Sequence, residues 1–354
     1  MLYQTENQHG GDVYGGGITL DFSANTNPLG TPPGVLEAVC RALPRLHRYP
    51  DPYCRRLVQA IAGHEQVPAS YILCGNGAAD LIYTYCAALR PRTAVELAPT
   101  FVEYGAGLAQ VGCRVERYFL HQAQNFDLDE RFLSFLEEKK PEVVFLCNPN
   151  NPTGRLIPLP LLEQILQYCA AQGARLFLDE CFLDLTEDGV SAKSLLAAHP
   201  ELLILKAFTK SYGMAGIRLG DCLCADNALL HRMAAASPPW NVSTPAQSAG
   251  VAALAERDFL QRTLSLVRTE RRWLTDNLTA LGFWVCPSHA NYLLFRGPLG
   301  LREGLLQQGI AIRGCGNYNG LGDGWYRIAV RPHGENEALI TAIRQFCKEK
   351  SLWQ

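Results

Sequence analysis

The sequence predicts an α/β fold: a large domain on a mostly parallel sheet over residues 45–235, with a smaller α+β domain formed by 1–44 and 236–354. Three observations carry this. Short apolar runs alternate with longer segments bearing a helical stripe, as in βαβ units. The texture changes after Ser237-Pro-Pro to a long helical stretch followed by shorter strands. The length of 354 residues suits two lobes, since a domain takes roughly 150 residues.

Taken in chain order, His9 to Gly17 (HGGDVYGGG) is too glycine-rich for regular structure, and Pro33 to Ala42 reads as a helix. Strands follow at YILC (71–74), TAVELA (93–98), VVFLC (143–147), RLFLD (175–179), LLILK (202–206) and LGDCLC (219–224). Their apolarity is continuous rather than alternating, which marks strands buried on both faces. Leu81, Ile82, Tyr85, Ala88 and Leu89 give a helical stripe after the first run, and Leu161, Leu162, Ile165, Leu166 and Cys169 another after the third. Strands at NYLLFR (291–296) and WYRIAV (325–330) and a last helix near 335–349 complete the smaller domain.

Composition narrows the function. A hydrophobic share of 48% with 19% charged residues is that of an ordinary globular chain. Lys plus Arg is 32 against 34 Asp plus Glu, a formal net charge of -2, so no whole-molecule field attracts nucleic acid or an anionic membrane. Any anion must be held locally. The 13 cysteines form no C-x-x-C pair and sit mostly in apolar runs, where they read as small packing residues rather than metal ligands. Their odd number and the lack of a basic-then-apolar leader place the chain in the reducing cytoplasm. No run nears the roughly 18 apolar residues of a membrane span.

Four segments could carry chemistry. Cys74-Gly-Asn-Gly-Ala-Ala-Asp80 ends a strand and opens a helix, where free backbone N–H groups and the helix dipole favour a phosphate. Asp80 stands where a dinucleotide fingerprint has its third glycine, so NAD is disfavoured, and a plain βα turn is the alternative. Asn148-Pro-Asn-Asn-Pro-Thr-Gly154 follows a strand at the sheet's carboxyl edge, as a turn or as a source of amide donors. Asp179 ends another strand, as a helix cap or as a charge for a cationic partner. Lys210 lies among small and apolar residues, with Arg218 eight positions on. A lone lysine is usually a solvated surface group, whereas one desolvated at a strand end can act as a Schiff-base nucleophile.

In this order and spacing the four segments resemble the fold type I family of pyridoxal-phosphate enzymes, the aspartate aminotransferase-like superfamily. The resemblance covers nearly the whole chain and implies a large, mostly parallel mixed sheet with a smaller α+β domain. It implies that Lys210 bonds to pyridoxal 5'-phosphate and later moves protons at the substrate carbon. Asp179 would pair with the pyridine nitrogen, Asn151 would donate to the ring hydroxyl oxygen, and Tyr104 of PTFVEY would stack on the ring. Arg218, Thr209 and the Gly77–Ala78 backbone would hold the phosphate. Tyr49 in RYPDP resembles a tyrosine that reaches the partner subunit's cofactor phosphate, implying a homodimer with shared sites. Ala207 departs from the pattern, since relatives often have a hydroxyl residue three positions before the lysine; one phosphate contact is then absent or replaced.

Within the family, His9-Gly-Gly, Asp21-Phe-Ser-Ala-Asn-Thr-Asn-Pro-Leu-Gly30, Phe182 after Asp-Glu-Cys, and Ile312-Arg-Gly-Cys-Gly-Asn-Tyr318 resemble the cobalamin-pathway branch. That branch decarboxylates L-threonine O-3-phosphate and lies nearest to the histidinol-phosphate aminotransferases. The resemblance implies that His9, Gly10, Asn25, Asn151, Arg313 and Arg331 contact a small phosphorylated amino acid. Two arginines and a histidine suit a ligand with both carboxylate and phosphate. Aminotransfer and a preference for serine phosphate are the alternatives; no metal is implied.

Overall fold

The apolar runs become the strands of a central sheet, in a computed structural model that describes residues 9–350. The strands are β1 Leu20–Asp21, β2 Ile72–Gly75, β3 Thr93–Ala98, β4 Arg114–Phe119, β5 Val143–Cys147, β6 Arg175–Asp179, β7 Leu202–Ala207 and β8 Gly220–Cys224. They continue with β9 Trp284–Val285, β10 Tyr292–Arg296, β11 Ile310–Ala311, β12 Arg313–Gly314 and β13 Trp325–Ala329. The helices are α1 Pro33–Ala42, α2 Arg55–Glu65, α3 Ala78–Leu89, α4 Glu103–Gln110, α5 Arg131–Lys139 and α6 Leu159–Gln172. After these come α7 Phe208–Ser211, α8 Asn227–Ala236, α9 Thr244–Ala253, α10 Phe259–Ala280, α11 Leu301–Leu306 and α12 His333–Glu349.

Seven strands form one sheet in the order β2-β8-β7-β6-β5-β3-β4. The ladders from β4 to β7 are parallel, and β8 is antiparallel to both β7 and β2. Continuous apolarity follows from packing on both faces. Along β5, Val144 and Leu146 enter one core cluster, while Val143, Phe145 and Cys147 enter the cluster on the opposite face. The edge strand β4 (RVERYF) escapes the sequence reading because an edge needs no continuous apolar run, and all six of its residues keep some exposure.

The smaller sheet, β12-β13-β10-β9, is antiparallel. Its core joins Leu293, Phe295 and Ile328 to Leu274 and Leu278 of α10 and to Leu339 and Ile343 of α12. The N-terminal segment attaches here, since β1 pairs in parallel with β11 through Leu20↔Ile310.

This topology gathers the chemistry. Because β8 reverses direction, β2 runs the same way as β5, β6 and β7, and their carboxyl ends share one edge of the sheet. In open α/β sheets that edge is where ligands bind. Gly77, Asn151 and Lys210 follow β2, β5 and β7, and Asp179 is the last residue of β6.

Candidate active site

At that edge lies a cavity of about 370 Å³ whose lining includes Lys210, Asp179, Asn151, Thr209, Arg218 and Ala78. His9, Gly10, Asn25, Arg313 and Arg327 border it as well. A larger cleft of about 610 Å³ beside Tyr49 holds no lysine and lies away from these strand ends. The smaller cavity is the candidate site, because chemistry follows the side chains rather than the volume.

Lys210 lies in the single turn α7 directly after β7, its Nζ 5.5 Å from the centre of the Phe182 ring. Burial lowers its pKa to about 8, and nearby Arg327 and Arg218 push the same way against the pull of Cys181 and Asp179. A lysine so placed holds roughly a tenth of its population as the neutral amine, the nucleophilic form, at pH 7, far more than an ordinary lysine does. Asp179 is fully enclosed, and burial raises its pKa despite hydrogen bonds from the Cys181 backbone and Tyr104. A carboxylate held this way calls for a cationic partner on its open side.

The phosphate cradle is built from glycines and Arg218. Gly77, the N-cap of α3, has φ +85°, and a Cβ there would stand 2.8 Å from the Arg218 guanidinium. Gly220 at the start of β8 runs so close beneath this turn that its Cβ would meet the Ala78 nitrogen at 2.8 Å. No side chain caps α3, so its first N–H groups remain for an anion. Arg218 itself adopts a left-handed backbone with φ +60°. Ala207 lines the cavity and supplies no hydroxyl.

Asn25 is 2% exposed, and neither atom of its amide has a hydrogen-bond partner. Such groups each cost on the order of 1–3 kcal/mol when left unmatched, a cost that a polar ligand would remove. Arg313 donates to Asn317 at 2.7 Å and lies over the Tyr318 ring, 5.4 Å from its centre.

Two predicted roles require correction. Tyr104 does not line the cavity as a ring-stacking residue; it lies fully buried and donates its hydroxyl to Asp179 at 2.5 Å. Phe101, three residues earlier, borders the cavity from this segment, as Phe182 and Tyr318 do from others. The difference comes from the short loop after β3, which presents position 101 to the cavity while position 104 enters α4 beneath it.

Arg331 is not at the cavity either: its Nε bonds Glu335, in the first turn of α12, at 2.9 Å. The arginine in place is Arg327, on β13. It is 6% exposed, and it donates to Asn151 at 2.5 Å and to the Ser23 carbonyl at 2.9 Å. Its signal was present in the sequence, a charge inside the apolar run WYRIAV.

Tyr49 borders the larger cleft, is 77% exposed and stacks on Trp240 with ring centroids 4.4 Å apart.

The donor set fits pyridoxal phosphate: an amine for its aldehyde, a buried carboxylate for its ring nitrogen, and a helix N-terminus with an arginine for its phosphate. Among the described residues, no group of three or more His, Cys, Asp or Glu could hold a metal ion, and no helix is long and apolar enough to cross a membrane.

The chain belongs to the aminotransferase class I and II family, which matches residues 18–346. A threonine-phosphate decarboxylase of Salmonella typhimurium is 40% identical over 331 residues, covering 92% of this chain and 90% of that protein. Among solved structures, a histidinol-phosphate aminotransferase from Clostridium acetobutylicum superposes with a TM-score of 0.87 at 28% identity, covering 93% of this chain and 99% of the other. An L-threonine-O-3-phosphate decarboxylase from Porphyromonas gingivalis gives 0.82 at 25% identity, with the same two coverages.

Proposed function

We propose that the protein is a pyridoxal-phosphate-dependent carboxy-lyase that converts L-threonine O-3-phosphate to (R)-1-amino-2-propanol O-2-phosphate and carbon dioxide in cobalamin biosynthesis. The observation that carries the reading is a second anion-binding set, His9, Asn25, Arg313 and Arg327, in the same cavity as Lys210 and Asp179. A substrate with a carboxylate and a phosphate uses both ends of that set. The 40% identity to a threonine-phosphate decarboxylase supports the same choice.

Bound pyridoxal phosphate supplies a conjugated, protonated ring that accepts the electron pair released when the carboxylate departs. Lys210 anchors the group and afterwards carries a proton at its Nζ to the substrate carbon. Asp179 keeps the ring nitrogen protonated, and Tyr104 fixes Asp179 from behind. Arg327, close enough to Lys210 to lower its pKa, takes the carboxylate; Arg313 and His9 take the phosphate. The fixed placement of both anions would decide which bond at the substrate carbon gives up its electrons to the cofactor, and so between decarboxylation and aminotransfer.

The likeness to a histidinol-phosphate aminotransferase structure at a TM-score of 0.87 supports the second reading, an aminotransferase. Purified enzyme incubated with L-threonine O-3-phosphate separates the two. Stoichiometric carbon dioxide release is expected, and amino transfer to 2-oxoglutarate without gas release would overturn the decarboxylase. Threonine and serine phosphate differ by one methyl, about 1–3 kcal/mol in a pocket, and their specificity constants rank them.

The reading takes residues 45–235 as the cofactor-binding domain and 1–44 with 236–354 as the smaller one; the β1–β11 pairing supports joining the N-terminal arm to the latter. It takes the protein as a cytoplasmic homodimer. No disulfide is formed among the described residues, which suits a reducing compartment.

A further inference from the structure

Glu103 stands in PTFVEY with no role assigned to it and Tyr83 in none of the motifs above, yet Glu103 reaches the mouth of the cavity and Tyr83 holds it from behind. Glu103, the first residue of α4, borders the cavity with its side chain 17% exposed. Its Oε1 lies 2.8 Å from His9 Nε2, and its Oε2 accepts a hydrogen bond from the Tyr83 hydroxyl at 2.6 Å. Tyr83 stands on α3 and does not border the cavity. Both carboxylate oxygens are therefore engaged, one by a neighbouring helix and one by the N-terminal segment.

That segment is pinned on its other side too. A Cβ on Gly10 would fall 2.1 Å from the Ser23 carbonyl oxygen, so only glycine passes there. The Gly11 nitrogen donates to Ser23 Oγ at 2.8 Å, and the Ser23 carbonyl accepts from Arg327 at 2.9 Å. His9 also leans on Phe101, ring centroids 6.0 Å apart. Residues 9–11 thus form a strap fastened to α4 on one side and to the Arg327 network on the other.

A carboxylate facing a site for a doubly anionic ligand repels that ligand, and a structure retains one there only if it serves another group. Here it holds the imidazole in a fixed orientation, as carboxylates do behind ligating histidines. We propose that Glu103, backed by Tyr83, is a positioning residue that seats His9 and fastens the strap over the cavity, and so sets the affinity for the substrate's phosphate. The proposal rests on the reading of a phosphorylated substrate. Without Glu103 the strap orders only when substrate binds, and that ordering is subtracted from affinity.

The holoenzyme and its Glu103→Gln, Tyr83→Phe, His9→Ala and His9→Ala/Glu103→Gln variants test this by two readouts. One is KM and kcat for L-threonine O-3-phosphate; the other is the calorimetric Kd for inorganic phosphate. Glu103→Gln is expected to raise both KM and the phosphate Kd about tenfold and to leave kcat within about twofold, the scale of one charge-assisted hydrogen bond. Tyr83→Phe, which keeps the ring, raises both about threefold. On the His9→Ala background Glu103→Gln adds less than about twofold, because its effect passes through His9. An unchanged phosphate Kd in Glu103→Gln, or an effect just as large without His9, overturns the proposal. If no carbon dioxide is released while phosphate binding still depends on Glu103 through His9, the decarboxylase reading falls and the positioning role stands.

Discussion

Arg327 and Arg331 lie four positions apart, and they have opposite fates because one lies within a strand and the other beyond its end. Arg327 sits in β13, and its guanidinium is drawn into the cavity by Asn151 and Ser23. Arg331 falls after the strand, where Glu335 takes it in an i, i+4 pair. Arg327→Ala should therefore cost roughly 100- to 1,000-fold in kcat/KM, since it removes charge-assisted bonds from a desolvated site. Arg331→Ala should stay within about twofold and cost about 0.5 kcal/mol of stability, the ordinary scale of such pairs. Steady-state kinetics on both variants checks this, with circular dichroism to show that each is folded. Equal losses in the two would return the substrate arginine to position 331.

The strand pair β7–β8 shows how an element can carry a cost that its neighbours tolerate. In register, Lys206 faces Asp221, and Lys206 also pairs with Glu65 at 2.7 Å and Asp184 at 3.2 Å. Asp221 is 3% exposed, and its Oδ2 has no hydrogen-bond partner. Burial raises its pKa from 3.8 to about 7, with Glu65 adding to the rise and Lys206 opposing it. A carboxyl raised on folding binds its proton more tightly in the folded state, so its contribution to stability declines as pH climbs from 3.8 to about 7 and is flat above that. Asp221→Asn cannot ionise. Its melting temperature should match the parent near pH 4 and exceed it increasingly up to pH 7, by an amount worth a few kcal/mol at the plateau. An advantage that shrinks with rising pH would refute the assignment.

The same strands show what was legible in the sequence. All six runs read as strands begin and end within one residue of β2, β3, β5, β6, β7 and β8, because burial on both faces writes continuous apolarity into the chain. The two-residue strands and β4 leave no such trace, being too short or exposed along an edge. At the candidate site, Lys210, Asp179, Asn151 and the Gly77 turn could be picked out as candidates because each lies at or just past the end of a buried strand. Arg327 left only the trace of a charge inside an apolar run and Glu103 only a place within PTFVEY, since their roles arise when distant segments meet.

At the scale of the whole molecule, the feature without a counterpart inside the chain is the surface beside the larger cleft. Leu36, Leu43, Leu46, Tyr49 and Tyr53 are all at least 48% exposed along one stretch, and Trp240 stacks on Tyr49. Apolar and aromatic side chains gathered in this way mark a protein contact, and Arg41, Arg45 and Arg48 at the cleft beside them could meet an anionic group. If a second copy covers this surface and Tyr49 completes the partner's cofactor site, each site needs Lys210 from one chain and Tyr49 from the other. Tyr49→Ala is expected to fall to about a tenth of parental activity through one lost phosphate contact, and Lys210→Ala to be inactive. Mixed in equal amounts and allowed to exchange, half of the dimers carry one copy of each variant and hold one complete site apiece. Activity should then recover to about a quarter of the parent, against about a twentieth if every site is built within a single chain. Sedimentation of the mixture reports whether dimers are present, and dimers without recovery would separate assembly from site sharing.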